Sequence, residues 1–476
     1  MTGNREPMAS VDAAWLRMES DNNPMMIAGV LILDRPIDIE RLRDVLKARF
    51  LCFKRFRQRV IDEGDRAWWE VDPTFHIDHH LHRIGLPGGA GEAELQELIG
   101  DLISTPLNFR RPLWQMHLVE PFGEGAALVV RIHHCIADGL ALVQVLLSFT
   151  DETDDQDGED HSLLAVTELA ERVFRPARGL IRRGLSLGQG LLGEGVGLIR
   201  HPSHLLDLAR QGVATGMELA HLGLLPADPE TFKPVLSGRK QVAWSAPLDL
   251  ERVKATAHAL AGTVNDVLLA SVAGALREFL LAHEVQISSD IHVALPFNLR
   301  SREQPISELG NQFGLVVVPL PVGVDDPKAR FGAVQKAMRE LKSSAQPRAT
   351  FGLLAVLGYG PAVLEKTTLE FLSKKTSLVV TNVPGPSTAR FLAGARIRQP
   401  MVWVPQSGAV GLGLSILSYD GTVQFGIVAD KSVPSDIQEV IRHFPAQFEV
   451  LAQNIKPSSK RTHRRRGKSG KKASED

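Results

Sequence analysis

Two distant stretches of the chain echo one another: RPIDIERLRDVLKA from Arg35 to Ala48 and APLDLERVKATAHA from Ala246 to Ala259. Each puts a proline before an apolar–Asp–apolar–Glu–Arg run, and each follows an apolar stretch, MMIAGVLIL in the first and KQVAWS in the second. The pattern reads as strand, turn and helix. The aspartate stands near the helix start, where unpaired backbone amides and the helix dipole favour an acceptor. Two amphipathic helices can share such a run by chance, but two halves of like topology explain it more economically. At 476 residues, 44% of them hydrophobic and 23% charged, the chain is long enough to bury the cores that two lobes require.

In the first half, LWQMHLVE and AALVVRIHH flank Pro121 to Gly125 as an antiparallel hairpin. The second strand ends on paired histidines, and after a short turn a helix begins LALVQVLLSF. The second half carries the helix NDVLLASVAGALREFLLAH from Asn265, then the strands IHVALPF, FGLVVVPLP, SLVVTNVPG and LGLSILSY. Strands interleaved with helices predict an α/β fold with mixed sheets. Between the halves, Asp151 to Asp160 is an acidic, solvated loop. Leu163 to Leu225 is helical in pattern, with Arg172, Arg175, Arg178, Arg182 and Arg183 among its apolar residues. It reads as a linker, a lid or a membrane-surface contact. The expected division is a first lobe over 1–150, a connecting segment over 151–238, a second lobe over 239–456 and a basic, disordered tail over 457–476.

A net charge of −1 offers no overall field for nucleic acid, and none is expected as a partner. Two cysteines, Cys52 and Cys135, argue against a disulfide framework and fit a reducing cytoplasm. The start MTGNREPMASVD lacks the apolar core of a signal peptide. The charge-free stretch Gln399 to Tyr419 contains Pro400, Pro405, Gln406 and Ser407, and its AVGLGLSILSY suits a buried strand, so no membrane span is expected. GLSLG at Gly184 to Gly188 matches the nucleophile elbow, and GQGLLG at Gly188 to Gly193 matches the dinucleotide fingerprint. Both lack the preceding buried strand that gives those patterns meaning, so Ser186 is expected to be a surface residue.

The chemistry concentrates in HHCIADG, from His133 to Gly139, where a strand end passes through a turn into a helix. Neighbouring histidines on a strand point to opposite faces, so both bind one metal only where the backbone breaks. No Cys or Glu cluster accompanies them, and His76, His79, His80 and His82 match no standard ligand spacing. No metal is expected at either place. Cys135 as a nucleophile requires an imidazole that its neighbour points away from it. The favoured reading is general base catalysis: a neutral imidazole takes the proton of an alcohol attacking a carbonyl. One histidine faces the cleft and the other packs behind it. Asp138 then holds the turn by pairing with an arginine, and Gly139 permits a sharp bend or a close helix approach.

HHCIADG resembles the HHxxxDG signature of acyltransferases related to chloramphenicol acetyltransferase and peptide condensation domains. Together with MASVDAAWLRMESDNNPMMIAGV, RPLWQMHL, VNDVLLA, ALPFNLRS, GNQFG and TNVPGP, it resembles the bacterial wax ester synthase/diacylglycerol acyltransferase family from about Met8 to Leu451. The resemblance implies two similar chloramphenicol-acetyltransferase-like domains with a tunnel between them, joined by the helical segment. It implies His134 as base, supported by His133 and Asp138, with Arg300 of PFNLRS as the partner of Asp138. Asn265 and Asp266 then lie at the cleft, Asn265 donating to the thioester or the oxyanion; the alternative is that both only cap their helix. Trp114 of PLW shapes the pocket wall, and Asn382 of TNVPGP lies in a loop near the cleft. Met26 stands where the family commonly has histidine, which bears on acceptor preference. The implied partners are acyl-CoA, as substrate with no further cofactor, a diacylglycerol or fatty alcohol, and a membrane or lipid-droplet surface met peripherally. The rivals are transfer to another hydroxyl or amine, such as a polyketide, and a lipid-binding protein without activity. Acceptor choice, chain length and oligomeric state are not legible at this level.

Overall fold

The computed structural model describes residues 5–64, 66–88, 91–154, 228, 233–285, 287, 290–299, 311, 313–344, 346–359, 368, 373–433 and 436–454. Ser186, Arg300, the whole 163–225 segment and the tail from 457 lie outside them, as do the two glycine motifs. In chain order the strands are β1 (Arg5–Pro7), β2 (Met26–Leu33), β3 (Gln58–Asp62), β4 (Ala67–Val71), β5 (Leu81–Ile84), β6 (Trp114–Phe122) and β7 (Gly125–His133) in the first half. The second half contributes β8 (Lys240–Trp244), β9 (Leu248–Asp249), β10 (Ile291–Asn298), β11 (Phe313–Leu320), β12 (Leu378–Pro384), β13 (Phe391–Leu392), β14 (Ala395–Trp403), β15 (Leu412–Tyr419) and β16 (Thr422–Asp430).

Both large sheets are mixed. One runs β13-β14-β2-β7-β6-β5, the other β11-β10-β12-β15-β16-β8 with β9 also paired to β16. A common four-strand pattern lies inside them. β2 is antiparallel to β7, β7 to β6, and β6 is parallel to β5. Likewise β8 is antiparallel to β16, β16 to β15, and β15 is parallel to β12. The sequence echo falls on equivalent places in the two sheets. After β2 the helix Ile39–Val45 is capped by Asp38, whose side chain accepts the Glu40 amide at 2.9 Å. After β8 the helix Leu250–Ala259 is capped by Asp249, which accepts the amides of Glu251 and Arg252.

One strand crosses between the two halves of the chain. β14, from the second half, pairs with β2 of the first sheet from Ile397↔Leu33 to Trp403↔Ala28. The reason lies in β2: MIAGVLIL is buried along nearly its whole length, and an apolar strand of this kind needs a partner on each edge. A shared core then forms between the sheets, where Val30, Val129, Trp244, Met401 and Trp403 meet.

The helix Val264–Ala282 is apolar around its circumference because it is the buried centre of the second lobe. Among the described residues no single helix is long and apolar enough to cross a membrane; Leu250–Ala259 with Val264–Ala282 passes only as a pair, bent by 97°. The charge-free stretch from Gln399 resolves into the end of β14 and the buried β15.

Candidate active site

β7 delivers the histidine pair. The His133 amide still bonds across to Leu113 O at 2.9 Å, whereas the His134 amide turns to the opposite side and donates to Met25 O at 2.7 Å. At that point the strand gives way to a turn and then to the helix Gly139–Ser148. Asp138 caps this helix: its Oδ1 accepts the Ala141 amide at 2.9 Å. Its expected partner Arg300 lies outside the described residues.

His133 is 1% exposed, with Phe109 edge-on to its ring. Its Nδ1 accepts the Cys135 amide at 3.1 Å, which leaves the ring proton on Nε2 in the neutral form. Nε2 lies 3.4 Å from Glu19 Oε2, within electrostatic reach and outside hydrogen-bond geometry. The same Glu19 oxygen accepts the Met25 amide, so this carboxylate ties His133 to the loop that carries Met25. Asn23 anchors that loop to the second half by donating to Gly408 O and Val410 O and by accepting from the buried Lys240 Nζ at 2.6 Å.

His134 is 5% exposed. Trp15 stacks on its imidazole at 4.3 Å and 15°, and Phe313 lies 5.4 Å away. Burial lowers its pKa to about 4, opposed by a backbone hydrogen bond and by the charge of Asp138. The ring is therefore neutral at neutral pH, and among the described residues its Nδ1 has no hydrogen-bond partner.

Gly139 differs from expectation. It has no left-handed φ, and no described atom lies within 4 Å of where a Cβ would stand, so neither a sharp bend nor a close helix approach demands glycine here. Trp114 is a core residue rather than a pocket wall: it is fully buried, donates from Nε1 to Phe56 O at 2.8 Å and stacks on His80. At the start of β6, opposite Ile132, its side chain joins Phe50 and Phe56 inside the first lobe. Met26 faces His133 directly in the β2–β7 register.

The ND pair divides its labour. Asp266 forms a reciprocal cap with Thr263, bonding the Thr263 amide at 2.8 Å. Asn265 takes no part in that cap; its Oδ1 accepts from Asn382 Nδ2 at 3.0 Å, which joins two of the expected site residues. Among the described residues no three His, Cys, Asp or Glu side chains gather as metal ligands. His80 and His82 go to different neighbours, Trp114 and His117.

The wax ester synthase/diacylglycerol acyltransferase catalytic domain matches residues 8–268, and the C-terminal domain of the same family matches residues 309–452. The chain belongs to this family. A putative diacylglycerol O-acyltransferase of Mycobacterium tuberculosis (strain ATCC 25618 / H37Rv) is 30% identical, covering 94% of this chain and 100% of the relative. A second from that strain is 25% identical, covering 94% of this chain and 90% of the relative. The fold matches the wax ester synthase/diacylglycerol acyltransferase from Marinobacter aquaeolei VT8 with a TM-score of 0.66 at 19% identity, over 94% of this chain and 100% of that one. It also matches the first condensation domain of the CDA synthetase, with a TM-score of 0.58 at 14% identity over 96% and 98%. This wax ester synthase/diacylglycerol acyltransferase family member is an acyltransferase of two condensation-like lobes.

Around the family's histidine pair the structure adds residues that lie in the quoted stretches but had no role given to them: Asp12, Trp15, Glu19, Met25, Asn311 and Phe313. Asp12 Oδ1 accepts from both nitrogens of Asn311, and burial raises its pKa to about 6. The available signal was a carboxylate within the apolar helix Ser10–Arg17, three positions before a tryptophan.

Proposed function

We propose that this acyltransferase moves a long-chain acyl group from acyl-CoA to the hydroxyl of a diacylglycerol, a long-chain alcohol or both, with His134 as general base. The curated relatives are named as diacylglycerol O-acyltransferases, which supports the acceptor class. The observation that carries the base assignment is the imidazole of His134, kept neutral by burial where β7 turns into the helix Gly139–Ser148. The imidazole takes the hydroxyl proton as the oxygen bonds to the thioester carbon. The tetrahedral intermediate then collapses with cleavage of the carbon–sulfur bond, and the imidazolium returns its proton to the departing CoA thiolate. The charge of Asp138 opposes the cost of burying that imidazolium. Asn265, its Oδ1 engaged by Asn382, keeps its NH₂ to donate to the developing oxyanion. On this reading acyl-CoA is a substrate and no further cofactor is drawn upon.

The acceptors are membrane lipids or lipid-droplet contents, so the reading includes peripheral contact with such a surface. The run of basic residues from Lys460 to Lys472 supports it, at around 1 kcal/mol per residue near an anionic membrane. The decisive assay is CoA release from palmitoyl-CoA with diolein or hexadecanol. His134→Ala is expected to lose on the order of 10²–10⁴-fold in kcat while Ser186→Ala keeps its activity. An active histidine variant beside an inactive serine variant would overturn the mechanism.

A further inference from the structure

The GNQFG run has no role in the reaction above, and its asparagine reaches the base from the other half of the chain. We propose that Asn311 is a positioning residue for the general base, clasping the backbone of His134 across the two lobes; this rests on His134 being that base.

Asn311 Nδ2 donates twice, to Asp12 Oδ1 at 2.8 Å and to the carbonyl of His134 at 2.8 Å. Its backbone amide donates to the same Asp12 oxygen at 2.9 Å. Asp12, His134 and Asn311 are all at most 5% exposed. A carboxamide nitrogen has two protons, and both are committed, so the group cannot rotate without leaving a buried acceptor bare. Asp12 itself belongs to the helix Ser10–Arg17, so the clasp joins the N-terminal helix, the turn after β7 and the approach to β11.

A second layer repeats the arrangement with rings. Trp15 lies three residues after Asp12 on the same helix face, and Phe313 lies two residues after Asn311, at the start of β11. Trp15 stacks on the His134 ring, and Phe313 packs against both rings. The polar layer therefore fixes the backbone of the base while the aromatic layer fixes its imidazole. Each layer draws one residue from each half of the chain, so the base is fully held only when the lobes have docked.

The charged and titratable groups around the ring are Asp138 and His133 in its own turn, Asp12 behind Asn311, Arg55 acting on Asp12, and Glu19 beside His133. The Asn311 side chain favours the protonated ring, and its hydrogen bonds favour the charged form of Asp12. Removing it weakens support for the imidazolium.

The test uses the full chain and kcat, KM and pH profiles with palmitoyl-CoA and diolein. Asn311→Ala is expected to lower kcat on the order of 100-fold, because small displacements of a reacting group cost that much, with KM little changed and the acid limb of kcat moved to lower pH. The double variant D12N/N311D keeps a donor–acceptor pair between the lobes but leaves nothing to donate to the His134 carbonyl. It is expected to recover part of the Tm lost in Asn311→Ala, the bare His134 carbonyl costing the rest, and not the wild-type kcat. Recovery of kcat by the double variant, or an unchanged kcat and acid limb in Asn311→Ala, would reduce Asn311 to a lobe-docking residue and sink the proposal. Should Asn311→Ala fail to fold, the double variant decides by the same criterion. An active His134→Ala removes the base reading itself, an outcome distinct from an inactive His134→Ala beside an unaffected Asn311→Ala.

Discussion

Gly139 opens its helix with ordinary backbone geometry and with no described atom within 4 Å of where a Cβ would stand. Glycine in a helix costs about 0.5–1 kcal/mol relative to alanine, so the fold alone favours alanine there. The space beside the helix start is explained if it admits substrate. Gly139→Ala is thus expected to leave Tm equal or slightly higher and to lower kcat/KM by roughly tenfold or more, equivalent to about 1.4 kcal/mol. Full activity in that variant would assign the glycine no part in substrate access. His133, His134 and Asp138 were legible in the sequence because a strand end, a turn and a helix cap lie within seven consecutive residues. Asp12 and Asn311 were not legible as partners: they meet across 299 positions, and no local period encodes such a pairing. Trp114 was misread for a related reason. A strand pattern gives alternation but not which face looks on a cleft and which on a core.

The contact between helix Glu92–Ser104 and β8 sets how closely the second sheet approaches the first lobe. At Gly100 a Cβ would stand 2.7 Å from Lys240 O and 3.3 Å from Gln241 Cα, and Ser104 Oγ accepts the Lys240 amide at 2.7 Å four residues on. The obstructing atoms are backbone, so relief requires the helix to move. Gly100→Ala is expected to destabilise by about 1–3 kcal/mol of overpacking, in excess of the about 0.5–1 kcal/mol gained in helix propensity. Urea unfolding checks it, and a stabilised variant would show that the helix can shift freely. The strand–turn–helix echo was legible because both copies keep a capping aspartate after an apolar strand. The passage of β14 into the first sheet was not, since ARIRQPMVW carries no mark of which edge it joins. Register and partner are settled by the exposed edge of β2, which is a tertiary fact.

Over the whole molecule, a net charge near zero hides an uneven interior, because composition counts charges without saying which side chains are sealed from water. Among the buried imidazoles of the first lobe, burial lowers the pKa values of His80, His117 and His134 to about 4, about 3 and about 4. Each takes up its proton in the unfolded chain near 6.5, before the folded protein does. Their contribution to stability is complete above about pH 6.5 and is lost as pH falls toward 4 and below. Asp12 has the opposite sign. Its pKa is raised to about 6, so its contribution is present below the unfolded value and lost as pH rises through about 6. Near pH 5.5 the imidazoles outnumber it, leaving a net uptake of about two protons on unfolding, or about 2.7 kcal/mol lost per pH unit. The urea midpoint is therefore expected to fall steeply between pH 6.5 and pH 5. His117→Phe should flatten that fall by nearly half, because it removes about one of the net two protons without touching the histidine pair. A midpoint that holds level across this range would mean that the three rings gain water or partners as they charge.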